Sequence, residues 1–117
     1  MTHHMNLHPE PFDMIADGQK TYELRLNDEK RRQIKVGDEI VFARAGAPEQ
    51  TLRVTVLALH RFDCFAALYA ALPLDKCGYR PQEVAAASPA DMEAYYTPEK
   101  QRQYGVLGIE IALCPHL

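Results

Sequence analysis

Between Thr21 and Asn27 apolar and polar residues alternate without a break: Tyr22, Leu24 and Leu26 fall on one side, Thr21, Glu23, Arg25 and Asn27 on the other. Successive side chains of a β-strand point to opposite faces. This period of two therefore predicts a strand with one face in a core and a polar face turned elsewhere. The end of the chain repeats the device, with Leu107, Ile109, Ile111 and Leu113 at alternate positions. A helical period of 3.6 would scatter both sets around a cylinder, so the fold must bring these strands to a common core.

Other elements follow from local signals. A short strand is expected around His4–Leu7, then Phe12, Ile15 and Ala16 at helical spacing, with Gly18 placed to end a short helix. Gly37-Asp38 reads as a turn, and the β-rich runs Glu39–Arg44 and Leu52–Leu59 read as hairpin arms around Ala45–Gln50. Asp63 is placed to cap a helix carrying Phe65, Leu68, Tyr69 and Leu72. The absence of charge from there to Asp75 predicts burial of that helix on more than one side. Ser88-Pro89-Ala90-Asp91 and Thr97-Pro98-Glu99 each offer a cap, a proline in the first turn and an acid, and Gly105 is a stop after Tyr104. The sum is an α+β fold of about five strands, a small mixed β-barrel or curled sheet with helices between the strands, in one domain over residues 1–117.

Composition narrows the function. Thirteen basic against sixteen acidic residues give a net charge of −3, which excludes a general, strongly basic nucleic-acid coat. The charge is uneven, however. The stretch from Gly18 to Gly37 holds Lys20, Arg25, Lys30, Arg31, Arg32 and Lys35 against Glu23, Asp28 and Glu29. Clustered Lys and Arg can neutralise phosphates, although charged stretches of this kind are also ordinary solvated turns. No apolar run approaches the ~20 residues of a membrane span, and Met1–Asn6 lacks the basic start and apolar middle of a signal peptide. Three cysteines with no CxxC pair argue against a disulfide framework or thiolate zinc site, so a reducing cytoplasm is expected. No two of His3, His4, His8 and His60 sit on a helix at i and i+4, and no carboxylate spacing completes a site, so no metal is expected. His3 shares the strand face of Met5 and Leu7 and reads as a partly buried structural residue. Cys64 reads as a small core residue. There is no Gly-rich phosphate loop or serine elbow, and no cofactor is expected.

The chemistry concentrates in Gly18–Arg25. Lys20 offers a base, nucleophile or phosphate contact; Glu23 can orient it, move a proton or hold a base edge; Arg25 supplies a planar fork for phosphate or carboxylate. Strict alternation places Lys20 opposite to Glu23 and Arg25, so a bulge or turn must bring it round. A surface Glu23–Arg25 ion pair with a solvated Lys20 fits the same residues. Phe12, Phe62, Tyr79, Tyr95, Tyr96 and Tyr104 are candidates for stacking on a base, with Phe12 the better fit to a core. The stretch Pro73–Pro81, with Gly78, is long enough to close over a cleft.

Gly18-x-Lys20-x-x-Glu23-x-Arg25 resembles the signature of the ASCH domain, a branch of the PUA-like superfamily. So do His3-x-Met5-x-Leu7 and Pro11-Phe12-x-x-Ile15 before it, Leu26-Asn27-Asp28-x-Lys30-Arg31 and Ile34-x-Val36-Gly37-Asp38-x-Ile40-x-Phe42 after it, and Tyr104–Ile109 near the end. The resemblance implies a PUA-like β-barrel with helices at its openings and a cleft where Lys20, Glu23 and Arg25 meet. Thr21, Asn27, Lys30 and Arg31 would extend that ligand-binding set. It further implies binding of RNA or a nucleotide-like small molecule. Some small members of the family remove the acetyl group from N4-acetylcytidine, and one relative is a ribonuclease. The deacetylating members use a lysine, a threonine three residues later and a later glutamate. Here the lysine is Lys20, Glu23 stands in the threonine's place, and Glu83, Glu93 and Glu99 are candidates for the third. An amidohydrolase on such a nucleoside, with Lys20 and Glu23 as the catalytic pair, is therefore one alternative. A protein-interaction adaptor without ligand chemistry is another.

Overall fold

The structure is a computed structural model and describes residues 1–115. Strand β1 covers Thr2–Leu7, and its alternate residues His3, Met5 and Leu7 are buried. The chain then turns into helix α1 (Pro9–Ala16), which opens on Pro9 and buries Phe12, Met14 and Ile15. Strand β2 (Tyr22–Leu26), β3 (Glu39–Arg44) and β4 (Ala47–Phe62) follow, then helix α2 (Phe65–Ala71), helix α3 (Pro98–Tyr104) and strand β5 (Val106–Leu113). The five strands form one curled, mixed sheet in the order β1-β3-β4-β5-β2. Only the β1–β3 pair is parallel. Its edge strands are bridged by a side chain: Arg25 Nη2 in β2 donates to the Asn6 carbonyl in β1 at 2.9 Å. Among the described residues no helix is long and apolar enough to cross a membrane.

Two cores occupy the two faces of the sheet. One joins Met5, Leu7, Ile40, Phe42, Val54, Val56, Leu107, Ile109 and Ile111 to Phe12 and Ile15 of α1. The other sets Leu24, Leu26 and Val106 against Phe65, Leu68 and Tyr69 of α2 and the long connection that follows it. Gly108 lies on this second side, where a methyl group would come within 2.6 Å of Leu72 Cδ1, so α2 packs closely on β5.

The long connection Leu72–Thr97 is built from short 3-10 turns, Leu74–Lys76, Pro81–Ala86 and Pro89–Ala94, instead of the α-helix that Ser88-Pro89 suggests. The Ser88 cap itself is present, its hydroxyl accepting from the Ala90 amide at 3.2 Å. Thr97 caps α3 likewise, accepting from the Lys100 amide at 3.2 Å.

Several local expectations are corrected. The hairpin loop is only Ala45-Gly46: β4 starts at Ala47 and runs on to Phe62, and Pro48–Gln50 bulge out between the Arg44–Ala47 and Ala43–Thr51 pairs. A proline is tolerated there because a bulge leaves ladder positions unpaired. Cys64, not Asp63, holds the cap position of α2, and no side chain caps it. Cys64 is accordingly half-exposed instead of a core residue. Helix α2 is buried on one side only; Ala66, Ala67, Ala70 and Ala71 form its exposed face, where small side chains need no covering partner. Leu113 leaves the core and is 42% exposed, because β5 has outrun the elements that cover it.

Candidate functional site

Local backbone geometry solves the parity problem at Lys20. Gly18 adopts φ +84°, a left-handed conformation that glycine reaches without steric cost and that turns the chain after α1. Lys20 then lies before the strand, its amide donating to the Met14 carbonyl at 3.0 Å, and is free of the β alternation. Its Nζ reaches Glu23 Oε1 at 2.7 Å, while Arg25 Nε reaches Glu23 Oε2 at 2.7 Å. Glu23 and Arg25 stand opposite Ile109 and Leu107, so the polar face of β2 is the first core's face and not solvent. Glu23 is 3% exposed and Lys20 is 7% exposed.

Burying a carboxylate costs several kcal/mol, roughly, unless cations and hydrogen bonds replace the lost water. Desolvation is the largest influence on Glu23 and would raise its pKa; the Lys20 and Arg25 charges and hydrogen bonds together outweigh it and hold the carboxyl below its ordinary range. Glu23 is thus an ionised anchor with both oxygens engaged. Lys20 keeps two of its three ammonium protons for a ligand, and Arg25 keeps the guanidinium hydrogens not directed at Glu23 and Asn6.

This triad forms one wall of a cavity of about 510 Å³, bounded by the end of β1, α1, β2 and the long connection. Tyr69, Tyr79, Tyr95 and Tyr96 line it, with Glu10, Glu83 and Asp91 among its polar residues. The stretch Pro73–Pro81 does close on it: Cys77, Gly78 and Tyr79 are in the wall, and Gly78, at φ +114°, lies against the Lys20 side chain. Burial pushes the Cys77 thiol up to about 12, so it is an unreactive wall residue.

The remaining residues of the sequence-derived set lie elsewhere. Thr21 is held by its backbone, its amide donating to the Lys76 carbonyl and its own carbonyl accepting from the Ile111 amide, both at 2.9 Å. Asn27 borders a second, shallower hollow with Arg61, Phe62, Arg102 and Tyr104. Lys30 is exposed, its Nζ donating to the His4 carbonyl at 3.2 Å, and Arg31 pairs with Asp28 at 3.2 Å. Of the three later glutamates only Glu83 borders the cavity; Glu93 and Glu99 are exposed away from it. Phe12 is in the first core. His3 is buried and bonded to Asp38 at 2.8 Å, and His60 meets Glu110 at 3.0 Å. Among the described residues no three His, Cys, Asp or Glu side chains gather as a metal would require.

Two cavity features escaped the sequence reading. Tyr69 occupies a helical apolar position and reads as core; it is in the second core, yet it also borders the cavity and its hydroxyl meets that of Tyr79 at 2.7 Å. Asp91 read only as a first-turn acid, yet it accepts a hydrogen bond from Tyr79 at 2.7 Å as well as from the Ser88 amide at 3.1 Å.

A curled, mixed five-stranded sheet with helices packed on it is a PUA-like α+β fold. The chain belongs to the ASCH domain family, whose profile matches residues 5–115. It is similar to the crystal structure of hypothetical protein PH0355, with 30% identity, a TM-score of 0.80, and coverage of 97% of this chain and 100% of that one. The solution structure of protein PF0455 from Pyrococcus furiosus shares 32% identity at a TM-score of 0.69, covering 99% of this chain and all of that one. An ASCH protein from Zymomonas mobilis, 17% identical with a TM-score of 0.59 over 98% of this chain and 68% of that one, shares the fold. The search of curated proteins returns no match.

Proposed function

We propose that the protein binds a nucleotide-type ligand, either a free nucleoside or a nucleotide within RNA, in the cavity between the Lys20–Glu23–Arg25 triad and the tyrosines. One observation carries this reading: a cavity of nucleoside scale, about 510 Å³, joins fixed cationic donors to aromatic walls. Stacking on an aromatic face stabilises a bound base by about 1–3 kcal/mol, and Lys20 and Arg25 supply donors for its polar edge. Three free thiols support a reducing, cytoplasmic setting. Calorimetric titration with cytidine and with a short single-stranded RNA tests the binding. At least one of them binds, and Lys20→Ala weakens it at least tenfold; no binding of either overturns the reading.

Amide hydrolysis of an N4-acylated cytosine nucleoside is the second reading, favoured by one feature: a later carboxylate, Glu83, borders the same cavity as buried Lys20. Because both oxygens of Glu23 are engaged by cations, proton transfer would fall to Glu83, with Glu23 holding Lys20 in place. Incubation with N4-acetylcytidine would release cytidine and acetate at the expense of water. Turnover that survives Lys20→Ala, or no turnover, removes this reading and leaves the binding reading standing.

A further inference from the structure

We infer that Asp91, through Tyr79 and Tyr69, fixes the hydrogen-bonding polarity of the cavity wall, selecting a base with an exocyclic amino group over one that presents only a carbonyl there. The inference rests on the nucleotide-type reading above. An ionised carboxylate can only accept hydrogen bonds, so the contact at 2.7 Å between Tyr79 and Asp91 takes the single hydroxyl proton of Tyr79. The Tyr79 oxygen is also 2.7 Å from the Tyr69 hydroxyl. With the Tyr79 proton committed to Asp91, Tyr69 must be the donor in that second contact. Both phenol protons are then used. What Tyr69 and Tyr79 have left for a ligand is lone pairs.

The protonation states agree with this direction. The hydrogen bond from Tyr79, aided by the Ser88 amide, keeps Asp91 below the usual carboxylate range. Desolvation leads in raising both phenols, so each retains its proton at neutral pH. All three residues border the cavity. The cation side has the reverse character, since Lys20 and Arg25 can only donate and Glu23 has no free oxygen. The cavity thus presents donors from the triad and acceptors from the tyrosine pair.

Cytosine and adenine carry acceptors and an amino donor on one edge. In uracil a carbonyl oxygen replaces the cytosine amino group. It would meet the part-buried Tyr69 oxygen with no proton between them, and an unpaired polar contact shut off from water is penalised.

The test is calorimetric titration of the whole protein with cytidine and with uridine. Cytidine binds about tenfold more tightly, the equivalent of one neutral hydrogen bond. Tyr69→Phe removes the terminal acceptor and narrows the preference to about twofold by weakening cytidine alone. Asp91→Ala frees the Tyr79 proton to turn towards the ligand, and uridine binding tightens. Asp91 is at the surface, so this variant carries the test should Tyr69→Phe fail to fold. A merely structural role would weaken both nucleosides together in both variants. Equal affinities in the unaltered protein, or a preference untouched by both substitutions, overturns the inference and leaves the binding reading intact. If neither nucleoside binds, the inference falls whether or not RNA does.

Discussion

Two basic groups lie within a dozen residues of each other, and the fold treats them oppositely. Lys20 and Arg25 are drawn onto one buried carboxylate and face a cavity. Lys30, Arg31 and Arg32 tie down the backbone and the Asp28 carboxylate: Lys30 holds the His4 carbonyl, Arg32 the Asn27 and Tyr104 carbonyls, and Arg31 Asp28. By charge alone the second group is the better phosphate binder. By burial the first is the better site, because its few donors are fixed and desolvated. The difference teaches that a run of basic residues marks where charge is exposed, whereas a buried triad of two cations on one carboxylate, with a net charge of +1, marks where donors are held in place.

The largest expected effect separates the two groups by stability. Glu23→Gln leaves Lys20 and Arg25 buried without a counter-charge and costs about 3–5 kcal/mol in urea unfolding. A loss under about 1 kcal/mol would place Glu23 with the surface pairs and erase the contrast. The same variant gives a pH signature. Since the folded pKa of Glu23 lies below its unfolded value of about 4.3, its contribution is complete above that value and is lost as pH falls through the folded one. The stability gap between the unaltered protein and Glu23→Gln therefore narrows on acidification below about pH 4. A gap constant to lower pH contradicts an ionised anchor.

Ligand binding sharpens the comparison next. Lys20→Ala weakens a bound nucleoside at least tenfold, or about 1.4 kcal/mol, whereas Lys30→Ala shifts it less than about twofold. The reverse ranking would move the site to the charged turn. The smallest effect concerns the Asp28–Arg31 pair, half-exposed at 3.2 Å. Asp28→Ala costs about 0.2–1 kcal/mol, and less in high salt, as for other exposed ion pairs.

The strands at both ends of the chain were legible because each satisfies a period of two, and β3 was legible to the residue. Hairpin length was not: a proline and two polar residues at 48–50 look like loop, yet the bulge absorbs them while β4 continues. The triad was half legible. Residue types offered Lys20, Glu23 and Arg25, but parity set Lys20 opposite the other two; only the ASCH resemblance implied that they meet, and the turn this requires is provided at Gly18. Their burial was hidden, because the alternating polar face looks the same whether it meets water or the end of a core. The tyrosine wall depended on the 3-10 turns of the long connection, whose course no short-range pattern specifies. Asn27 and Arg31 share the local chemistry of the motif but fall beyond the point where the cavity ends.

Backbone amide shifts on titration with cytidine test the central claim most directly. Saturable changes grouped on Lys20–Arg25, Cys77–Tyr79 and Asp91–Tyr96, absent in Lys20→Ala, are the expected result. Changes grouped instead on Lys30–Lys35 or around Asn27, Arg61 and Arg102, with the triad unmoved, would contradict it.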